Sequence, residues 1–293
     1  MPLVRPIPGR GGLPKLVLTA PDGAVAELYL QGAHVTSWVP AGERERLFLS
    51  DRSAFAPGRA IRGGVPVIFP QFSQEGPLPR HGFARTAAWT PDVADVPDVP
   101  DEAGDATAAT LLLRDSPATR AVWPHAFAAR LTVRVGGSQL EMTLAVTNTG
   151  TTPLAFTGAL HSYLRVPDVA DVAVYGLAAL RYRDQTAGGV EREEREPVVR
   201  VAGEVDRVYL DVPGPVLVRE RSAGIVALQA TGFPDVVVWN PGAERGDALD
   251  DLEPDGWRRM LCVEPAAVRR PVRLAPGARW TARQILSASP GAP

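Results

Sequence analysis

The sequence predicts an all-β protein, an antiparallel sandwich of many strands, on three observations. Short runs alternate apolar and polar residues with a period of two. Gly, Pro and Asp punctuate these runs. No strand–helix alternation, heptad or fixed repeat competes with them. In chain order, apolar strand patterns fall at residues 25–30, 65–69 and 109–113. Leu131, Val133 and Val135 then alternate with Thr132 and Arg134, and after Gly136-Gly137 the pattern resumes at Leu140, Met142, Leu144 and Val146. That pair reads as a β-hairpin. Further strands are predicted at 236–239 and 260–263. The 29 prolines argue against long helices, since an interior proline costs about 3 kcal/mol. Residues 91–106, PDVADVPDVPDEAGDA, read as an exposed polar excursion, and the final SASPGAP reads as a frayed tail.

The 293 residues suffice to bury about 75% of the extended chain's surface, so a large core needs no covalent staples. No linker divides the chain, which predicts one domain over 1–293, with a core from about 12 to 288 and a tail from 289 to 293. A net charge of −2 offers no electrostatic grip on nucleic acid. Basic charge is almost all arginine, Lys15 being the only lysine. Cys262 is the only cysteine, so no internal disulfide forms and a reducing compartment is expected. The N-terminus lacks an apolar signal core and no stretch approaches a membrane span. The expected location is cytoplasmic, with no membrane or nucleic-acid partner, and the expected state is a monomer.

Metal and nucleotide motifs are missing. His34, His81, His125 and His161 show no HxxxH, HExxH or cysteine at ligand spacing. The loop from Asp251 imitates the first half of an EF-hand, but Cys262 stands where the bidentate glutamate belongs, so a solvated, capped loop is expected. GRGG and RGG open no strand–GxGxxG–helix unit, and no GxSxG elbow occurs. No metal or cofactor is expected.

What remains are polar residues inside strand-like runs. In FTGALHSYLRV, a period of two puts His161, Tyr163 and Arg165 on one face and Leu160, Leu164 and Val166 on the other. In MLCVEP, Met260, Cys262 and Glu264 share a face, and Pro265 keeps Glu264 extended. A carboxylate ending an apolar strand is costly to bury alone, so Glu264 should face a cleft or pair with an arginine. His161 could equally be a hydrogen-bonded structural histidine.

The ordered set IRGGVPVIFPQF, LPRHGFAR, WPHAF, TNTG, ALHSYLRV, EVDRVY, VVVWNP and MLCVEP resembles the hexose-6-phosphate mutarotases of the aldose 1-epimerase superfamily, over nearly the whole chain. The resemblance implies a galactose-mutarotase-like β-supersandwich with a sugar cleft on one sheet. It places the catalytic histidine at His161 and the catalytic glutamate at Glu264. Substrate contacts fall on Arg62, Arg80, His81, Arg85 and Asp206. Arg80 replaces a frequent glutamine, Gly242 an aromatic and Ala266 a glycine; these departures bear on substrate preference and leave the His–Glu pair intact.

Interconverting anomers requires a base at the anomeric hydroxyl and an acid at the ring oxygen, with roles reversed on closure. Glu264 is expected as the base and His161 as the acid, on a small sugar phosphate held by Arg62, Arg80 and Arg85 through charge-assisted bonds. Gln71 and Trp239 are further candidate sugar contacts, Asp184 is a rival to Asp206, and Trp123 reads as plain core. Competing readings are an epimerase of unphosphorylated hexoses, a non-catalytic carbohydrate-binding module, and a lyase or hydrolase using Tyr163.

Overall fold

The computed structural model describes residues 5–92, 106–220 and 224–289 of the chain. Among these residues the strands form three antiparallel sheets. A small sheet runs Ile7–Pro8, Pro14–Thr19, Val25–Tyr29 and His34–Val39. The back sheet runs, in spatial order, Val172–Tyr175, Val216–Glu220, Gly224–Thr231, Arg279–Ser289, Gln139–Asn148, Phe127–Gly136, Thr107–Arg114 and Thr90–Pro91. The front sheet runs Val190–Glu193, Arg181–Asp184, Val205–Tyr209, Asp235–Asn240, Met260–Leu274, Leu154–Leu160 and Val67–Ile68; Tyr163–Arg165 also pairs with Met260–Leu274.

The expected strands are present. The hairpin pairs Gly136 with Gln139, leaving Gly137 and Ser138 as its two-residue turn. Only Val67–Ile68 of the 65–69 run joins the front sheet, while the run at 260–263 is the start of a 15-residue strand. The two α-helices among the described residues, Pro117–Val122 and Gly242–Asp247, have six residues each, in keeping with the proline content. No helix among the described residues is long and apolar enough to cross a membrane.

Two boundaries differ from expectation. Ser289, expected in the tail, pairs with Ile225 and closes the last strand, so Ser287 and Ala288 are ladder residues too. At the other end, Ile7–Pro8 pairs with Pro14–Lys15, ahead of the expected core. Small side chains at 287–289 carry no apolar signal, and Ile7–Pro8 is a two-residue run too short to show alternation; in both places the neighbouring strand supplies the partner. Of the polar excursion, residues 93–105 lie outside the described residues, as do 290–293.

Period-two alternation sorts the front sheet into two faces. Leu160, Leu164, Leu261, Val263 and Val238 join one continuous core with Leu131, Val133 and Leu144 of the back sheet. On the other face, Tyr163, Val237, Trp239, Met260 and Cys262 form a second apolar cluster with Phe48, Ile68 and Phe72 from flanking segments. Glu264 is in phase with Met260 and Cys262, so it emerges into this second cluster.

Gly63 and Gly64 explain how the IRGG segment fits against that sheet. Their φ values are +111° and +60°, and a Cβ at either would strike the backbone oxygen of Phe48 or Val35. Only glycine allows such a close approach at positive φ. The Nε2 atom of His34, wholly buried below, lies 2.7 Å from the Gly63 carbonyl oxygen. Burial, with a smaller push from Arg85, lowers the His34 pKa from 6.5 to about 4, against the opposing effect of the Gly63 hydrogen bond.

This depression sets a sign. As pH falls below 6.5, the unfolded chain protonates His34 while the folded chain resists until about pH 4, so stability is lost across that window. For a group so depressed the loss is about 3 kcal/mol. Urea unfolding at pH 7 and pH 4 checks this: the advantage of wild type over His34→Gln should shrink by that amount. An unchanged difference would show that the folded chain protonates His34 freely.

Candidate active site

The central front-sheet strand brings the two expected catalytic groups together. Val237 pairs with Glu264 on one side of it, Trp239 and Tyr163 flank Cys262 from opposite sides, and Ala159 pairs with Ala266. His161 sits between Leu154–Leu160 and Tyr163–Arg165, where the chain leaves one pairing on this strand and begins another. Its Nδ1 lies 3.1 Å from Glu264 Oε1. The contact is not aligned as a hydrogen bond, and Glu264 Oε2 also lacks a hydrogen-bond partner among the described residues. The residues are 7% and 1% exposed, so this is a desolvated carboxyl–imidazole pair. The arginine partner considered for Glu264 is not found among the described residues; His161 takes that place.

Aromatic rings hold His161. Tyr163 stacks on it, with centroids 4.7 Å apart and planes 9° from parallel. Trp239 meets both rings edge-on, 5.9 Å from His161 and 6.0 Å from Tyr163. Trp239 is therefore largely buried, and its part in the site is to wall the imidazole. Trp123 packs with Phe69 and Phe127 as plain core, as expected.

Arg62 donates from Nη1 to the Tyr163 hydroxyl and from Nε to Asp251 Oδ1, both at 3.0 Å. Sequence reasoning missed Asp251, because nothing in the sequence couples residues so far apart. The same bond answers the EF-hand likeness. Asp251 serves Arg62, while Glu253 takes Arg259 at 2.6 Å and the Ser50 hydroxyl at 2.6 Å. Arg165, expected beside His161 and Tyr163, donates from Nε to the Leu47 carbonyl, 3.2 Å away.

The segment after Phe72 supplies the other wall. His81 stands at φ +66°, its ring 5.6 Å from that of His161. Its Nδ1 accepts the Ser73 amide N–H at 3.2 Å, which leaves the proton of the neutral ring on Nε2. Gln71 is not a free sugar contact: its amide donates to the Ser73 and Leu78 carbonyls and accepts from the Leu78 N–H, tying the loop shut. Arg85 donates from Nη2 to the Arg80 carbonyl at 3.0 Å, and its buried Nε has no hydrogen-bond partner among the described residues. Arg80 is exposed.

Asp206 lies on Val205–Tyr209, paired with Trp239. Asp184, its rival, is engaged by Arg192 at 3.3 Å. Gly242 stands where the resembled family more often carries an aromatic; here its φ is +64°, and a Cβ would come within 2.7 Å of the Glu204 nitrogen.

Electrostatics follow from burial. Desolvation pushes Glu264 well above the usual carboxylate range, with Asp206 adding to it. Desolvation drives His161 down, reinforced by His81, Arg62 and Arg85. Both effects favour the neutral pair, carboxyl and imidazole, over the ion pair. Burial likewise lowers His81 to about 3, helped by Arg85, Arg80 and Arg62. Desolvation raises Asp206 to about 6, opposed by Arg245 and assisted by Glu204. Perturbed groups of opposite sign in one cleft are the pattern of an acid–base site. The site also brings Cys262 beside His161 and Glu264, a cysteine–histidine juxtaposition absent from the expected spacing.

Asp206 gives a direct check on this burial. Its carboxyl carbon should titrate near pH 6 by carbon-13 NMR, and Arg245→Ala, which removes the strongest cationic influence on it, should move the midpoint up. A midpoint near the ordinary 3.8 would show a solvated carboxylate.

Comparison with known proteins identifies relatives of the whole chain. The aldose 1-epimerase family profile matches residues 14–287. A protein of Cenchrus ciliaris carrying the provisional name glucose-6-phosphate 1-epimerase is 38% identical over 284 residues, spanning 95% of this chain and 86% of its own. A similarly named Escherichia coli protein is 36% identical over 269 residues, covering 90% and 87%. The crystal structure of a provisionally assigned mutarotase from Salmonella typhimurium superposes with a TM-score of 0.85 at 29% identity, covering 98% and 97%. A galactose mutarotase-like protein of Lactobacillus casei shares the fold at a TM-score of 0.74 and 15% identity, covering 94% and 100%. With this fold, and with a sequence match running almost end to end, the chain belongs to the aldose 1-epimerase family of isomerases.

Proposed function

We propose that this protein interconverts the α and β anomers of a hexose 6-phosphate, glucose 6-phosphate being the first candidate, with Glu264 and His161 as the acid–base pair. The observation carrying this reading is the desolvated 3.1 Å contact between those groups on an apolar sheet face, with Arg62, Arg80, His81 and Arg85 alongside. The names of the relatives point to the same substrate.

In ring opening, Glu264 as carboxylate removes the proton from the anomeric hydroxyl. His161 as imidazolium gives one to the ring oxygen as the C1–ring-oxygen bond breaks. The products are an open-chain aldehyde, a neutral imidazole and a protonated Glu264. Rotation about C1–C2 presents the other carbonyl face, and closure reverses both transfers. Burial stabilises the neutral pair, which is the protonation state reached at the open chain. A phosphate beside Arg62 and Arg85 would offset the charges that depress His161, and so favour the imidazolium needed for opening. In this reading His81, donor at Nε2, and Asp206 orient the sugar hydroxyls.

A second reading, epimerisation of unphosphorylated hexoses, has one observation in its favour. Arg62 is already engaged by Asp251 and Tyr163, which leaves Arg80 and Arg85 as the freer cations.

Three measurements test the proposal. Glu264→Gln and His161→Asn should each slow anomer exchange of glucose 6-phosphate, followed by NMR, by about 10²-fold or more with circular dichroism unchanged. A variant keeping a tenth of the rate would remove its residue from proton transfer. The wild-type kcat/KM should trace a bell in pH belonging to the pair as a unit.

Arg85→Ala should lower kcat/KM for glucose 6-phosphate by roughly 10-fold to 10²-fold, the loss of one charge-assisted contact, and leave glucose nearly unchanged. Equal use of both sugars by wild type, with equal damage to both in the variant, would give the site to a neutral sugar.

A further inference from the structure

A nitrogen, a sulfur and an oxygen metal ligand converge at the acid–base pair. One atom each from the His161 imidazole, the Cys262 thiol and the Glu264 carboxyl lies within 4.8 Å of the others. All three residues are more than nine-tenths buried, and His161 Nδ1 and Glu264 Oε2 have no hydrogen-bond partner among the described residues. The arrangement is built by sheet register. Cys262 and Glu264 are alternate residues of one strand, and His161 is held over them by its stack on Tyr163, which pairs with Cys262.

We propose that His161, Cys262 and Glu264 form a site for a thiophilic divalent cation of the zinc class, and that its occupation reversibly blocks the sugar reaction. The inhibitory half rests on the acid–base reading above; the binding half does not. Zinc takes nitrogen, sulfur and oxygen ligands at about 2.0–2.3 Å in a tetrahedron, with three protein ligands and an open fourth position in many sites. Small side-chain shifts from the present spacing reach that geometry. Binding would expel the Cys262 thiol proton and the Glu264 carboxyl proton to solvent, so that two anionic ligands balance the cation. The thiolate selects against magnesium and calcium, which take oxygen ligands. Arg62 and Arg85, whose charges reach His161, oppose any cation, so the site should load in excess zinc and empty into a chelator.

Neither the sugar nor the cation can use the His161–Glu264 pair while the other holds it. Inhibition should therefore be competitive. Cys262 has no part in the proposed proton transfers, so its removal separates the two functions.

The experiment uses the full chain with two readouts. Anomer exchange of glucose 6-phosphate is measured with micromolar zinc chloride, with magnesium chloride, and after EDTA. Zinc should raise KM at least tenfold at constant kcat, magnesium should do nothing, and EDTA should restore the rate. Cys262→Ala should keep the basal rate and need roughly tenfold or more zinc for the same effect. Independently of activity, cobalt(II) should give wild type a thiolate-to-cobalt charge-transfer absorption, absent in Cys262→Ala and bleached by zinc. Should the alanine variant misfold by circular dichroism, Cys262→Ser replaces it, and its hydroxyl should likewise abolish the band. No cobalt band in wild type overturns the site. A band together with zinc-insensitive, active enzyme overturns the inhibition. An inactive wild type with an intact band leaves the metal site standing and instead sinks the epimerase reading.

Discussion

The placement of a carboxyl group within an apolar strand is the constraint on which the rest of the site depends. Glu264 is 1% exposed, in a strand whose neighbouring side chains are Val263 and Pro265. An ionised carboxylate there would carry a large desolvation cost, and no arginine relieves it among the described residues. The structure answers with the His161 imidazole at 3.1 Å and a carboxyl pushed towards its protonated form. Every other feature of the cleft supports that pair. The second apolar cluster keeps water away, the Tyr163 stack and Trp239 edge fix the ring, and Asp251 fixes Arg62 against Tyr163.

This arrangement distributes positive and negative influence unequally over the pair. Arginines and His81 act on the imidazole, while Asp206 acts on the carboxyl. Both shifts lead away from the charged forms, and on the proposed reading a substrate phosphate beside Arg62 and Arg85 would offset the charges that act on His161. The same imbalance bears on the metal question. The ligand atoms suit zinc, but Arg62 and Arg85 oppose a cation beside His161, which fits an exchangeable inhibitor better than a resident ion.

Backbone devices deliver the polar groups to the sheet. Gly63 and Gly64 permit an approach that brings Arg62 against Tyr163, and His34 supports the Gly63 carbonyl from below. Gln71 closes the following loop through three hydrogen bonds, which presents His81 with one ring nitrogen committed to Ser73. These are positioning roles, and they explain why polar residues within strand-like runs need not all touch a ligand.

Alternation alone determined the all-β class, the 131–146 hairpin, and the shared faces of His161 with Tyr163 and of Cys262 with Glu264, because side-chain direction in a strand is a local property with period two. Local chemistry also excluded long helices and a complete EF-hand. Which of those faces meet was decided only by tertiary structure. His161 and Glu264 lie on different strands, as do Arg62 and Asp251, and their contact depends on sheet order and register that no short-range pattern encodes. The same is true of Gln71, whose amide looks free in sequence and is consumed by its own loop, and of Gly242, whose role appears only once Glu204 lies against it. Protonation belongs to this second class as well. A carboxyl and an imidazole have ordinary values until the fold removes water from them, and here burial is the first cause of both shifts.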